Sequence, residues 1–382
     1  MEVDLPGLAK RSSFTLRLEP YSFTLRDCWT SGNSGNRIMR SCYGDEFAAP
    51  GLRRAEDILG APLLAQRGAR PVDAVFTWVD HEDTDWQAMY RAHRPEAAAT
   101  AAPPRGDGTS VTRFHNNDEL RYALRSIWRN LPWINRIHVL SNCRPPAWLD
   151  LGHDRISWVR HEEVIPARFL PSFNSHVIES FLHHLPDLTE TFIYLNDDFL
   201  VMRPTEPDAF FSLSGQSAAR LEGYGMVAGA VRAGDPDYLN AARNSQALLR
   251  SSLEFAATEL HHHVPYALNR SVMAEIEARF AGPVEAFRGN RFRSSSDLNI
   301  ASFLYHHYAL ATGRAFRAST SQVLVQCTAF GWRDRLALAD RRQHDFVCIN
   351  EGGTEIPPAG WHAETRCHLA RWFSGSAPWE HG

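Results

Sequence analysis

Lysine is almost missing from this chain. Lys10 is the single one, so nearly all of the 40 lysine and arginine residues are arginine. Arginine keeps its charge at any working pH and offers a planar fork suited to phosphate or carboxylate. Long apolar runs are missing too. None approaches the ~18–20 residues of a membrane span. No apolar stretch follows the basic pair Lys10 and Arg11, so no secretory signal is expected. The six cysteines (Cys28, Cys42, Cys143, Cys327, Cys348, Cys367) are scattered, with no CxxC or zinc-type spacing, so free thiols are expected. No GxGxxG, Walker loop, GxSxG or HExxH occurs, which argues against dehydrogenase, P-loop, α/β-hydrolase and zincin chemistry. A net charge of −4 excludes a general electrostatic grip on nucleic acid.

What remains is globular in composition. Apolar residues make up 44% and charged residues 22% of 382 positions, enough for two or three domains or one large α/β unit with insertions. Eleven tryptophans supply large apolar surfaces.

Residues 1–70 read as an N-terminal extension. SFTLR occurs at Ser13–Arg17 and again at Ser22–Arg26 with Pro20 between, an alternation that predicts a small β-hairpin. Residues 31–36 and 95–112 read as loops. From Val72 the pattern changes. Val72–Val79 predicts a buried strand with Asp80 at its end. Leu120, Ala123, Leu124, Ile127 and Trp128 form one helical face behind an Asn116 or Asn117 cap. Arg121 and Arg125 share another face, either solvated or facing a phosphate. Arg136–Ser141, Ile156–Val159 and Thr191–Leu195 predict further strands, and Pro171–Leu185 a helix opening near Asn174 or Ser175. This alternation over 72–200 predicts βαβ units and a mainly parallel sheet, whose ligands bind beyond the C-terminal strand ends. Residues 205–290 read as a mostly helical insertion, Leu298–Leu310 as a helix, and Val323–Cys327 and Phe346–Ile349 as late strands. Residues 352–382 read as an extended C-terminal arm rich in proline, glycine and tryptophan.

Three places could carry chemistry. Asn196-Asp197-Asp198 at a strand end is either a turn or a site for a hard cation. His261-His262-His263 cannot converge on one metal if helical, which leaves one histidine as a base or three at a surface. Arg291 and Arg293 in Asn290–Ser294 could clasp a phosphate or simply be solvated.

Taken in order, VDAVFTWVD (72–80), DELRYALRSIWRNLPWINRIHVLSN (118–142) and HEEVIPARFLPSFNSHVIESFLHHLPDLTETFIYLNDDFL (161–200) resemble the Stealth family. So do HVPYALNR (263–270), NRFRSSSDLN (290–299) and FVCIN (346–350). Its members include bacterial capsular polysaccharide phosphotransferases and the catalytic α/β chain of N-acetylglucosamine-1-phosphotransferase. The likeness spans about residues 71–351. It implies an α/β, Rossmann-like, glycosyltransferase-type catalytic domain with a helical insertion. It also implies transfer of a hexose- or N-acetylhexosamine-1-phosphate from a UDP-sugar to a carbohydrate hydroxyl, with UMP leaving. By motif, Glu179 and Asp198 would be the active-site carboxylates. Asp198, with Asp197, would hold Mg²⁺ or Mn²⁺. His263 would be the base and Arg293 the phosphoryl ligand, with Asn350 near the metal. Asp80, Asp118, Arg121, Asn174 and Asn196 would bind substrate. The likeness departs at Glu351, where the family usually has aspartate; a longer carboxylate changes what that block offers a metal. An ordinary metal-dependent glycosyltransferase releasing UDP, and a non-catalytic nucleotide-sugar binder, stand as alternatives. The expected location is the cytoplasm, with peripheral association at the inner membrane face and homo-oligomer formation left open.

Overall fold

The computed structural model describes residues 21–25, 28–31, 41–43, 70–94, 111–212, 214–351 and 356–381. In the N-terminal extension, β1 (Tyr21–Leu25), β2 (Cys28–Ser31) and β3 (Ser41–Tyr43) pair antiparallel in sequence order. The second SFTLR copy thus enters a hairpin, but with the strand after it; the first copy lies outside the described residues.

The main sheet has the order β12-β7-β4-β5-β6. Its strands are β4 (Val72–Thr77), β5 (Ile134–Ser141), β6 (Ile156–Arg160), β7 (Thr191–Asn196) and β12 (Tyr266–Asn269). The first four run parallel, and β12 joins antiparallel beside β7. These strands are continuous apolar runs because helices and loops cover both faces. Chain order proceeds outward from β4 to β6 and then jumps back to β7 on the other side of β4. That reversal opens a crevice beyond the C-terminal ends of β4 and β7, where Thr77 pairs with Asn196. The expected α/β fold with a Rossmann-like parallel sheet is therefore present.

The helix Glu119–Asn130 buries Leu120, Ala123, Leu124 and Ile127, as its spacing predicts; Trp128 falls at the rim, 39% exposed. Its N-cap is Asp118, in the left-handed region (φ 72°), not Asn116 or Asn117. The helix expected over Pro171–Leu185 is broken into Ser175–Glu179 and a 3-10 turn at Leu182–His184. Arg288 Nη2 donates to the Ser180 carbonyl at 2.7 Å, taking the acceptor that a continuing helix would need, and His184 N turns to Phe181 O. Leu298–Leu310 contains a π-helical turn, Ile300–Leu304, then the helix Tyr305–Ala311.

The segment 205–290 holds the helices Asp237–Leu253, Arg270–Arg279 and Ala281–Arg288. It also holds strands: β9 (Ser217–Ala219), β10 (Leu221–Gly225), β11 (Glu259–His261) and β12. β10 and β11 pair, and β9 pairs with β13 (Ala315–Arg317). Because β12 sits at the edge of the main sheet, this segment completes the sheet as well as decorating it. A further sheet, β14-β15-β8, joins β14 (Gln322–Gln326) and β15 (Phe346–Asn350) to β8 (Phe199–Val201). Cys348 lies opposite Phe199, which brings β15 beside the Asn196–Asp198 turn.

The tail differs from expectation. Trp361–Trp372 is a helix with Trp361, Thr365, Leu369 and Trp372 buried. Tryptophan-rich composition masked an i, i+4, i+8, i+11 spacing that is helical. After it, Trp379 is fully buried, and the Glu380 side chain, 0% exposed, receives two arginines. Arg121 Nε donates to Oε2 at 2.7 Å; Arg125 Nε and Nη2 donate to Oε1 and Oε2 at 2.6 Å each. Arg125 is thus buried and fully engaged, while Arg121, 27% exposed, is tied to Glu380 through its Nε. Their counter-charge arrives from the far end of the chain. Among the described residues no helix is long and apolar enough to cross a membrane.

Breaking a buried charge pair from one side leaves the other charge uncompensated. Glu380→Gln is expected to lower unfolding free energy by about 3 kcal/mol. Urea denaturation against wild type checks it; a loss below about 1 kcal/mol would mean that the pair contributes only as a surface bridge.

Candidate active site

The crevice at the β4 and β7 ends gathers acids: Glu119 is buried, and Asp197 and Asp198 are half-buried. Asp197 and Asp198 follow β7 directly. Asp198 is pinned at its backbone, where Ile349 N donates to its carbonyl at 3.1 Å. Its Oδ2 accepts from Cys348 Sγ at 3.4 Å and Asn350 Nδ2 at 3.5 Å, while the buried Oδ1 has no partner. Glu119, from the helix that follows the Asn116–Asp118 turn, faces them, held by Asn117 N at 2.5 Å and Asn117 Nδ2 at 2.8 Å. Burial, then the Asp197 charge, pushes Glu119 up to about 8. Burial and Asp198 push Asp197 to about 8. Asp198 rises to about 7, again chiefly by burial, with Glu119 adding to it. An orphaned buried oxygen among three carboxylates that resist ionisation is what a divalent cation would relieve, so these residues fit Mg²⁺ or Mn²⁺.

A second cluster lies across β7. The Tyr194 hydroxyl is 2.8 Å from Thr77 Oγ1, and it lies 2.8 Å from Asn196 Oδ1 and 3.3 Å from Glu179 Oε1. Glu179 is buried, which raises it to about 7 despite the pull of Arg293 and Tyr194. Arg293 comes from the 290–297 loop, its Nη2 donating to Ser175 Oγ at 2.6 Å. Asn174 secures that loop. Its Nδ2 reaches Asn290 O (3.2 Å), Phe292 O (3.1 Å) and Asp297 Oδ2 (2.9 Å), and its Oδ1 caps the Ser175–Glu179 helix through His176 N. His176 Nδ1 stands 3.1 Å from Asp297 Oδ2.

β12 brings the histidine. Because it runs antiparallel to β7, its start lies beside the β7 end, with Tyr266 opposite Tyr194. His263 precedes it and meets Phe199 edge-on at 6.4 Å between ring centroids. Its Nδ1 is buried without a partner, and burial lowers its pKa, which favours the neutral ring. Its two neighbours are committed elsewhere. His261 accepts from Arg220 N at 3.0 Å in the core, and His262 Nδ1 meets Gln322 Nε2 at 2.8 Å. The triplet is thus no metal cluster. Tyr266 lies close enough to Glu179 and Asp198 for their charges to raise its pKa.

Of the residues singled out in sequence, Glu179, Asp197, Asp198, Asn196, His263, Arg293 and Asn350 converge at this edge. Asp80 lies just past β4, its N–H donating to Cys143 Sγ at 3.2 Å. Three do not act as expected. Arg121 is bound to Glu380, Asp118 is a helix cap 4.0 Å from Arg121, and Asn174 is a strut for the arginine loop. Glu119, Tyr194 and Tyr266 went unremarked although each stands inside a quoted motif, and Asn117 was read only as a helix cap. A cleft of about 200 Å³ opens beyond β5 and β6, lined by Met89, Asn142, His161, Glu162, Leu170 and Pro171.

The raised carboxylates fix a sign. Folding makes Glu119, Asp197 and Asp198 hold protons that the unfolded chain releases near pH 4. Without divalent cation, stability is therefore greatest at low pH in this window and falls as pH rises through 7 and 8. Mg²⁺ takes the place of those protons, so its stabilisation grows over the same range. Thermal melts from pH 5.5 to 8.5 with chelator or Mg²⁺ check this; a pH-independent Mg²⁺ effect would contradict it.

The family description "Stealth protein CR2, conserved region 2" matches residues 113–219, and "Stealth protein CR3, conserved region 3" matches 262–311. The capsular polysaccharide phosphotransferase SacB of Neisseria meningitidis serogroup A is 39% identical over 344 residues, covering 87% of this chain and 62% of the relative. An exopolysaccharide phosphotransferase of Nocardia farcinica is 37% identical over 315 residues, covering 81% of this chain and 61% of the relative. The chain thus spans about three fifths of the length of these relatives. Among solved structures, the galactosyltransferase LgtC aligns over 80% of this chain and 98% of its own, at TM-score 0.37 and 13% identity. Likeness that low adds nothing to what the sheet order shows. The two matched regions enclose Glu179, Asp198, His263 and Arg293, so the chain carries stretches similar to Stealth conserved regions 2 and 3 and, over most of its length, to SacB.

Proposed function

We propose that this protein transfers a hexose-1-phosphate or N-acetylhexosamine-1-phosphate from a UDP-sugar to a carbohydrate hydroxyl. The observation that carries the reading is one sheet edge holding a cation-fitting acid cluster, an arginine beside a buried acid, and a neutral histidine with a free ring nitrogen. Phosphoryl transfer depends on positioning and charge neutralisation, and these groups supply both. The relatives named as capsular and exopolysaccharide phosphotransferases support it.

In this reading the acceptor oxygen attacks the β-phosphorus. A new P–O bond forms, the bond from that phosphorus to the bridging oxygen breaks, and UMP leaves with the bridging electrons. His263 takes the hydroxyl proton, for which its neutral state suits it. Arg293, positioned by Ser175 and the Asn174 strut, faces the phosphoryl oxygens. Asp197 and Asp198 would hold Mg²⁺ or Mn²⁺, which supplies charge neutralisation at the phosphates when bound. The cleft lined by Met89 and Leu170 offers apolar walls for a flat base, and Asn142 an amide for its edge. Membrane association and self-association remain expectations outside this reading.

Attack at phosphorus leaves the sugar's anomeric C–O bond intact. UMP is therefore the expected nucleotide product with the correct UDP-sugar, and the acceptor gains sugar and phosphate together. Chromatography showing UDP with a phosphate-free glycoside would replace the reading with ordinary glycosyl transfer. Asp198→Asn is expected to abolish turnover with its fold intact.

The histidine triplet separates chemistry from structure. His263→Ala is expected to lower kcat at least about 100-fold, with little change in donor KM, because the proton moves only in the transition state. His261→Ala is expected to lower Tm instead, since its ring is 4% exposed and anchors Arg220 N. Steady-state kinetics beside melting curves test both; equal kinetic losses at the two positions would remove His263 as base.

A further inference from the structure

Two histidine-carboxylate clusters stand out among the described residues, and they differ in one respect. His183 and His184 meet Glu277, but Arg288 also binds Glu277, so that carboxylate is already neutralised on both oxygens. His115, Glu351 and His362 have no such arginine. One ligand atom from each lies within 4.8 Å of the others. They come from three separate segments: the turn before Glu119–Asn130, the residue after β15, and the first turn of Trp361–Trp372.

We propose that His115, Glu351 and His362 form a second cation site, distinct from the Asp197–Asp198 site and selective for a zinc-type divalent ion. The donor set is two imidazoles and a carboxylate, which suits Zn²⁺ far better than the all-oxygen preference of Mg²⁺. The carboxylate is pre-set: Asn117 Nδ2 donates to Glu351 Oε1 at 2.7 Å and Trp361 Nε1 donates to it at 3.0 Å. Its other oxygen, Oε2, is buried and unpartnered, as is His115 Nδ1. The His115 ring is held between His81 and His362, at 4.3 and 4.2 Å between centroids. Among the described residues no side chain satisfies these two atoms. Without an ion, His362 Nδ1 lies 2.7 Å from Asn117 Oδ1 and 3.2 Å from Glu351 Oε1. An ion bound there takes the place of the proton on His362 Nδ1, and Asn117 Oδ1 is placed to serve as a fourth ligand. His115 and His362 side chains are 29% and 33% exposed, so an ion can enter from solvent.

Asn117 joins the two centres, since the same side chain holds Glu119. The glutamate found where the family usually has aspartate thereby gains a role: its extra reach places the carboxylate between two histidines. This inference stands on the His–Glu cluster alone and does not depend on the proposed transfer reaction.

The test uses the full chain stripped with chelator and dialysed against Zn²⁺, with bound metal and Tm measured. Wild type is expected to retain a Zn²⁺ equivalent that excess Mg²⁺ does not displace, with a rise in Tm. Asp198→Asn should retain it. His115→Ala with His362→Ala should lose both the ion and the Tm rise. If that variant fails to fold, His362→Gln, which keeps a donor toward Asn117, should weaken Zn²⁺ by about tenfold or more. Zn²⁺ retained by the histidine variants, or lost in Asp198→Asn, or bound by none of the proteins, would overturn the site.

Discussion

Like charges do not stay buried together without something to cancel them. Asp197, Asp198 and Glu119 are held within reach of one another by the β7 end, by the β15 backbone and by Asn117, and each is forced away from ionisation. The rest of the site is arranged around that repulsion. β15 sets Asp198 through a main-chain bond as well as through Cys348 and Asn350. Glu179 stands apart on the far side of Tyr194, with Arg293 as its counter-charge. One pole of the crevice thus suits a cation and the other carries one, which is the polarity a diphosphate needs.

Much of this was legible in the sequence, and for identifiable reasons. The parallel strands are rich in β-branched and aromatic residues, and the strand before Asn196-Asp197-Asp198 was plain from its apolar run. The helix Glu119–Asn130 follows a plain amphipathic spacing. What failed was whatever depended on a partner distant in sequence. Nothing near Arg121 and Arg125 reveals that Glu380 will neutralise them. Ser180 looks like an ordinary helical residue until Arg288 takes its carbonyl. Asn174 reads as a polar motif residue fit for substrate, yet its amide is spent holding the loop that presents Arg293.

Motif membership and chemical contact are therefore different properties. Asn174 and Asn117 never need to touch a ligand to matter, since each fixes two other groups at once. Tyr194 and Tyr266 face each other across the β7–β12 pair and line the floor between the acids. Their place depends on strand alternation, which puts every second residue of β7 and β12 on the crevice side.

The β7–β12 pairing has an evolutionary consequence. The Asn196–Asp198 turn leaves one strand and His263 enters on its antiparallel neighbour, so hydrogen-bond register helps to set the spacing between Asp198 and His263. The sixty-odd residues that connect them include β8, β9 and the paired β10 and β11, with the helix Asp237–Leu253 as an excursion between β10 and β11. Lineages are then free to lengthen, shorten or exchange this excursion, provided that the ladder closes on the same residue. A slip of one residue would turn Tyr266 to the opposite face and shift His263 with it.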